Sequence, residues 1–190
     1  MLVGEKNIGR LELQILNNIK KFYETFLICM LKKSRKQKGY GKMEEKKYEQ
    51  LRRLIEKSEL VDFSEYGKGV SDEWIKKAEA RLKIELPESY KWWLKYYGGG
   101  EIAGEEIYSV YEQDFDSVVG GDIVYVYETN LKNEIQTRQM LVICETEDEV
   151  YYFKLDEKDK QKEYPIYCLY QKIKYADNFV DFLINMIESL

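Results

Sequence analysis

The chain has 190 residues, with 44% hydrophobic and 34% charged, and a formal net charge of -5. This suits one globular domain with an extension, and it is neither a disordered nor a membrane-protein composition. It contains no histidine, which excludes Ser-His-Asp and Cys-His nucleophiles, histidine bases and histidine-containing metal sites.

The net charge is a sum of opposites. Residues 1–42 carry ten basic and three acidic side chains, about +7, and the rest carry about -12. The basic segment places Leu11, Leu13, Ile15, Leu16, Ile19, Phe22, Tyr23, Phe26, Leu27 and Leu31 at mixed helical spacing and ends in Lys32-Lys33-Ser34-Arg35-Lys36-Gln37-Lys38. It reads as a basic amphipathic helix for a membrane surface or an acidic partner, as a helical adaptor, or as the product of a start codon placed upstream of Met43. The change of sign at Met43 favours the last. The apolar run Phe26–Leu31 is too short to span a bilayer and lacks a small-residue cleavage site, so a cytoplasmic location is expected. Cys29, Cys144 and Cys168 are odd in number and widely spaced, which fits free thiols in a reducing compartment.

From Met43 onward, Tyr48, Leu51, Leu54 and Ile55 predict an amphipathic helix over 44–59. Residues 62–69 have turn chemistry. Ser71 is placed to cap a second helix, with Asp72 and Glu73 opposing its dipole and Trp74, Ile75, Ala78 and Leu82 on its buried face. Pro87 suits the first turn of a third, aromatic helix containing Trp92, Trp93, Leu94, Tyr96 and Tyr97, which Gly98-Gly99-Gly100 stops.

Beyond the glycines the pattern turns toward strands. Residues 107–111 are a strand candidate, and 123–127 fit a strand or a helix. Residues 140–144 and 150–155 form a hairpin around the acidic loop 145–149, and 165–170 make the last strand. Phe179, Val180, Phe182, Leu183, Met186, Ile187 and Leu190 define a terminal helix. The order predicts an α+β domain with a mainly antiparallel sheet, N-terminal helices and a C-terminal helix.

Few chemical motifs survive scrutiny. Gly98-Gly99-Gly100-Glu101-Ile102-Ala103 fits G-x-G-x-x-G/A, but it follows a helix and is flanked by Glu101, Glu105 and Glu106, which repel a pyrophosphate. Asp114, Asp116 and Asp122 offer carboxylates for acid-base work or Mg²⁺, a pattern that chance explains in a chain with 35 acidic residues. A domain at about -12 is a poor nucleic-acid ligand despite its 17 tyrosines. The reading is of a protein that is not an enzyme and carries no metal or other cofactor.

One stretch is more specific. A Ser71-initiated helix carrying Ile75 and Glu79, then Leu86-Pro87-x-Ser89-Tyr90, then Trp92 and Leu94, and the turn Gly99-Gly100 resemble the signature of the SUKH superfamily. Pro165 and residues 178–183 resemble its ending, so the likeness covers about 43–190 and leaves 1–42 outside. That superfamily includes yeast cell-wall-assembly regulators and bacterial immunity proteins. The resemblance implies a SUKH-like α+β domain and an antitoxin role: binding a cognate polymorphic or contact-dependent toxin, of nuclease type, and occluding its active site. The alternative is a non-catalytic regulatory scaffold. An acidic domain suits a toxin with a basic surface. The carboxylates that follow the glycines (Glu101, Glu105, Glu106, Asp114, Asp116, Asp122) and those of the hairpin loop (Glu147, Asp148, Glu149) are the candidate partner-binding residues.

Overall fold

A computed structural model describes residues 45–190, so the readings of residues 1–42 and of Cys29 lie outside the described residues. Helix α1 covers 45–57 and turns Leu51 into the core. Strand β1 (Val61–Phe63) follows, then helices α2 (Asp72–Leu82) and α3 (Glu88–Tyr97). A hairpin of β2 (Gly100–Ile102) and β3 (Glu105–Ile107) leads to α4 (Ile123–Lys132). The chain then runs through β4 (Met140–Glu145), β5 (Val150–Lys154), β6 (Ile166–Cys168) and β7 (Lys174–Ala176) into α5 (Phe179–Glu188). The seven strands form one sheet in chain order, with every neighbour antiparallel.

The predicted α+β architecture is the one observed. The helices follow their apolar spacing: Ile75, Ala78 and Leu82 bury the inner stripe of α2, and Tyr90, Trp93, Leu94 and Tyr97 that of α3. Tyr90 packs edge-on against Phe153 and Phe179, at 5.6 and 4.8 Å between ring centroids, joining α3 to the sheet and to α5. Cys144 and Cys168 are free and buried, and burial pushes the Cys144 thiol up to about 12, reinforced by Glu105, Glu145 and Glu106.

Four local expectations need correction, and the open reading of 123–127 resolves to its helical alternative. The strand expected at 107–111 ends at Ile107, and only an isolated bridge from Ser109 to Asp122 continues it. Residues 123–127 are helical, because the Asp122 side chain caps them and α4 is buried on more than one side. The stretch 165–170 is not the last strand, since β7 pairs beyond it. The turn-like 62–69 begins inside a strand, where Val61-Asp62-Phe63 alternates inward and outward on the edge of the sheet. Ser71 occupies the cap position of α2, but its side chain makes no cap bond; its N–H donates to Glu112 Oε1 at 2.7 Å.

Candidate acidic interface and glycine groove

The signature residues prove to hold the fold together. Ser89 is buried at the start of α3; its N–H and hydroxyl donate to the two oxygens of Glu163, at 2.8 and 2.5 Å, and its hydroxyl accepts the N–H of Phe179 at 3.2 Å. One serine thus ties together α3, the 155–165 loop and α5. Tyr90 donates its hydroxyl to the Tyr108 carbonyl at 2.5 Å, and burial raises its pKa well above the ordinary tyrosine value. Glu79 receives the Leu86 N–H at 2.9 Å, fixing the α2–α3 junction that Pro87 turns. Ile75, Leu86 and Leu94 are core, and Trp92 lies half-buried against Tyr48, 4.6 Å between centroids. Gly99 and Gly100 serve close approach: a Cβ would lie 2.7 Å from Ser109 Oγ at the first, and 2.1 Å from the Asp62 carbonyl oxygen at the second.

The nine candidate carboxylates divide into three groups. Asp122 and Glu149 are internal, 0% and 2% exposed, and leave the candidate surface. Asp122 accepts N–H groups from Val124 and Tyr125 (2.9 and 3.2 Å) as the cap of α4, and from Tyr111 at 3.0 Å. Glu149 accepts from Val150, Tyr170 and Gln171 at 2.9, 2.8 and 3.2 Å. A buried carboxylate is tolerated only when it is so saturated. Alanine at Asp122 is therefore expected to destabilise the fold by about 2 kcal/mol, and asparagine by less; urea denaturation measures this, and an unchanged midpoint would refute it.

Asp114 and Asp116 belong to the exposed loop before α4. Asp114 accepts the Asp116 N–H at 3.1 Å, and Asp116 pairs with Arg81 at 2.8 Å, which also holds Glu128 at 2.6 Å. With Asp122 pointing inward, the three aspartates do not converge on a reacting atom or an ion, and no metal-binding group of three occurs among the described residues.

The third group is a surface. Asp62 stands opposite Glu101, and Glu101 opposite Glu106, so three carboxylates form one in-register row across β1, β2 and β3. All three are exposed, and none is paired with a lysine or arginine among the described residues. Like charges directly opposite on adjacent strands are destabilising, whereas Glu85 takes Lys158 and Lys162, and Glu88 takes Lys91. Glu105 lies half-buried on the other side of β3, and Glu147 and Asp148 are exposed at the tip of the β4–β5 hairpin. Asp62 was hidden from sequence reasoning inside a supposed turn, although its apolar–acidic–apolar setting was the signal that it faces outward.

Beside the row lies a groove of about 430 Å³, bounded by the 64–70 loop, the Gly98-Gly99-Gly100 turn and residues 106–113. Glu106 belongs to both features. Its carboxylate accepts the Tyr111 hydroxyl, which in turn accepts the Gly121 N–H at 3.0 Å. Burial and that carboxylate push the Tyr111 hydroxyl up to about 12. Nothing in the sequence announced the groove except the glycines themselves. Residues 72–183 match the family model SUKH_6, described as SMI1-KNR4 cell-wall, a span that runs from α2 into the first half of α5 and includes the glycine turn and Glu101, Glu105 and Glu106. The chain belongs to the SUKH superfamily.

Proposed function

We propose that the protein is an immunity protein: it binds a cognate toxin with a basic, nuclease-type surface in the cytoplasm and blocks its active site without catalysis of its own. The observation that carries this is the row Asp62–Glu101–Glu106, which sets like charges opposite one another on neighbouring strands and leaves them without a cation on the same described chain. Such a row costs stability in the free protein and is relieved when a partner supplies positive charge. Membership of the SUKH superfamily is consistent with that role. Among the described residues no helix is long and apolar enough to cross a membrane. Tyr66, Tyr96 and Tyr170 are exposed and supply aromatic contact area of the kind that interfaces favour.

The test is co-expression with the C-terminal toxin domain encoded beside the gene. The wild-type chain is expected to restore growth and to co-purify with the toxin. Glu101→Lys is expected to weaken the complex by at least about tenfold while leaving the Tm unchanged or slightly raised, because it removes a like-charge pair. Absence of both rescue and complex would overturn the proposal. Rescue by Glu101→Lys at undiminished affinity would remove the row from it.

A further inference from the structure

We infer that the groove beside the glycine turn is the seat for a single arginine or lysine side chain, presented on an extended loop of the protein partner. The inference rests on the immunity reading for the identity of the partner and on the groove alone for its chemistry. Its starting point is Ser109. This residue is 2% exposed and lines the groove, yet its hydroxyl makes no hydrogen bond within the described chain, although its N–H donates to the Gly121 carbonyl and its own carbonyl accepts from Ile123. Its hydroxyl oxygen is not one of the fully buried unpartnered atoms, so this hydroxyl opens onto the groove and is free to bond a donor or acceptor that enters there.

The groove around it is acceptor-rich. Glu106 and Glu112 both line it, and both are held in place. Glu106 receives the Tyr111 hydroxyl, and Glu112 receives the Ser71 N–H through Oε1 from a left-handed backbone, φ 54°. Each carboxylate makes that one bond through Oε1, leaving its Oε2 open. Lys68 is the one lysine on the wall, and its ammonium already pairs with Glu65 at 2.5 Å. The floor is glycine backbone, which admits a ligand to a depth that any side chain at Gly99 would close. An anion would meet two carboxylates here, and an apolar group would strip them of water without compensation. A guanidinium presents several donors in one plane, matching two carboxylates and a hydroxyl. Glu106 also ends the acidic row, so a cation seated in the groove continues directly into a basic surface lying along β1–β3. That continuity favours a side chain borne on a protein over a free amine.

The experiment has two arms. In the first, the isotopically labelled full chain is titrated with acetyl-Gly-Arg-Gly-amide and followed by amide resonances. Saturable shifts confined to residues 98–100 and 106–113 are expected; they vanish when citrulline replaces arginine and weaken by at least about tenfold in Glu106→Gln/Glu112→Gln. Ser109→Ala is expected to keep the Tm and still weaken binding, because its hydroxyl bonds nothing in the free protein. Shifts that are absent, or equal for the citrulline peptide, overturn the inference, and tighter binding of spermidine than of the peptide overturns it in favour of a free amine. In the second arm, the double glutamine variant is tested against the co-expressed toxin domain. A complex of undiminished affinity defeats the groove while the immunity reading stands. If the wild type forms no complex, the immunity reading fails, and the peptide arm alone decides the groove.

Discussion

Alanine at Glu149 is expected to lower the free energy of unfolding by about 3 to 4 kcal/mol. The substitution leaves the N–H groups of Val150, Tyr170 and Gln171 without their acceptor, at a side chain that is itself 2% exposed. These donors come from the start of β5 and from the β6–β7 turn, so the loss removes a tie between two hairpins that the β5–β6 ladder also joins. Urea denaturation followed by tryptophan fluorescence measures it, and a loss under about 1 kcal/mol would contradict this account. Acid provides an independent check. Burial of Glu149 opposes ionisation, but backbone donors from Tyr170, Val150, Gln171 and Leu169 outweigh it, and the pKa lies below the ordinary carboxylate value. A group depressed in the folded state stabilises it above the unfolded pKa, near about 4.3, and that stabilisation fades as pH falls through the lower folded value. Wild type minus Glu149→Gln should therefore show a stability difference that is constant at neutral pH and shrinks below about pH 4.

Gly100→Ala is expected to cost about 3 kcal/mol or more and, on the proposed function, to weaken partner binding at the same time. The new Cβ would lie 2.1 Å from the Asp62 carbonyl oxygen and 2.7 Å from Phe63 Cα, and the backbone stands at φ 137°, a region that L side chains rarely adopt. Relief requires β1 to move off β2, which takes Asp62 out of its row with Glu101. Gly104→Ala is the control. Gly104 also has a positive φ, 86°, but nothing lies within 4 Å of its added Cβ, so only the backbone term of about 1 kcal/mol remains. Equal thermal shifts for the two variants would mean that the close contact with β1 is not what Gly100 protects.

Helices α1, α2, α3 and α5 were legible because their apolar spacing runs over ten residues or more, long enough for a period to declare itself. Strands β1, β2 and β7 have three residues each, and an alternation of three is indistinguishable from a turn. Residues Ile123-Val124-Tyr125-Val126-Tyr127 have strand-forming side chains and are helical because Asp122 caps them and tertiary burial decides the rest. The site was legible by residue type but not by placement. Glu149 reads like Glu147 and Asp148 beside it, yet it turns inward to N–H groups of Tyr170 and Gln171, which no local pattern could foresee. The signature residues were found through the family likeness, and their work is structural: Ser89 is a three-way tie, and Gly99 and Gly100 are clearances. Ser109, the residue that singles out the groove, carries no signal in the sequence, because what distinguishes it is a hydrogen bond it does not make.

The seven strands pair strictly in chain order, and this carries a kinetic consequence. Most of the sheet has low contact order, so it can grow by adding each strand to the hairpin before it, with little loop-closure entropy to overcome at each step. Two junctions are different: α2 and α3 lie between β1 and β2 in the chain, and α4 lies between β3 and β4. The β1 edge is also short, and short edges fray first in local opening. The acidic row is therefore completed by one of the two long-range pairings, at a short edge of the sheet, and a partly folded chain with β2–β7 in place would still lack Asp62 from its surface. On the proposed function, recognition is thereby reserved for the finished fold.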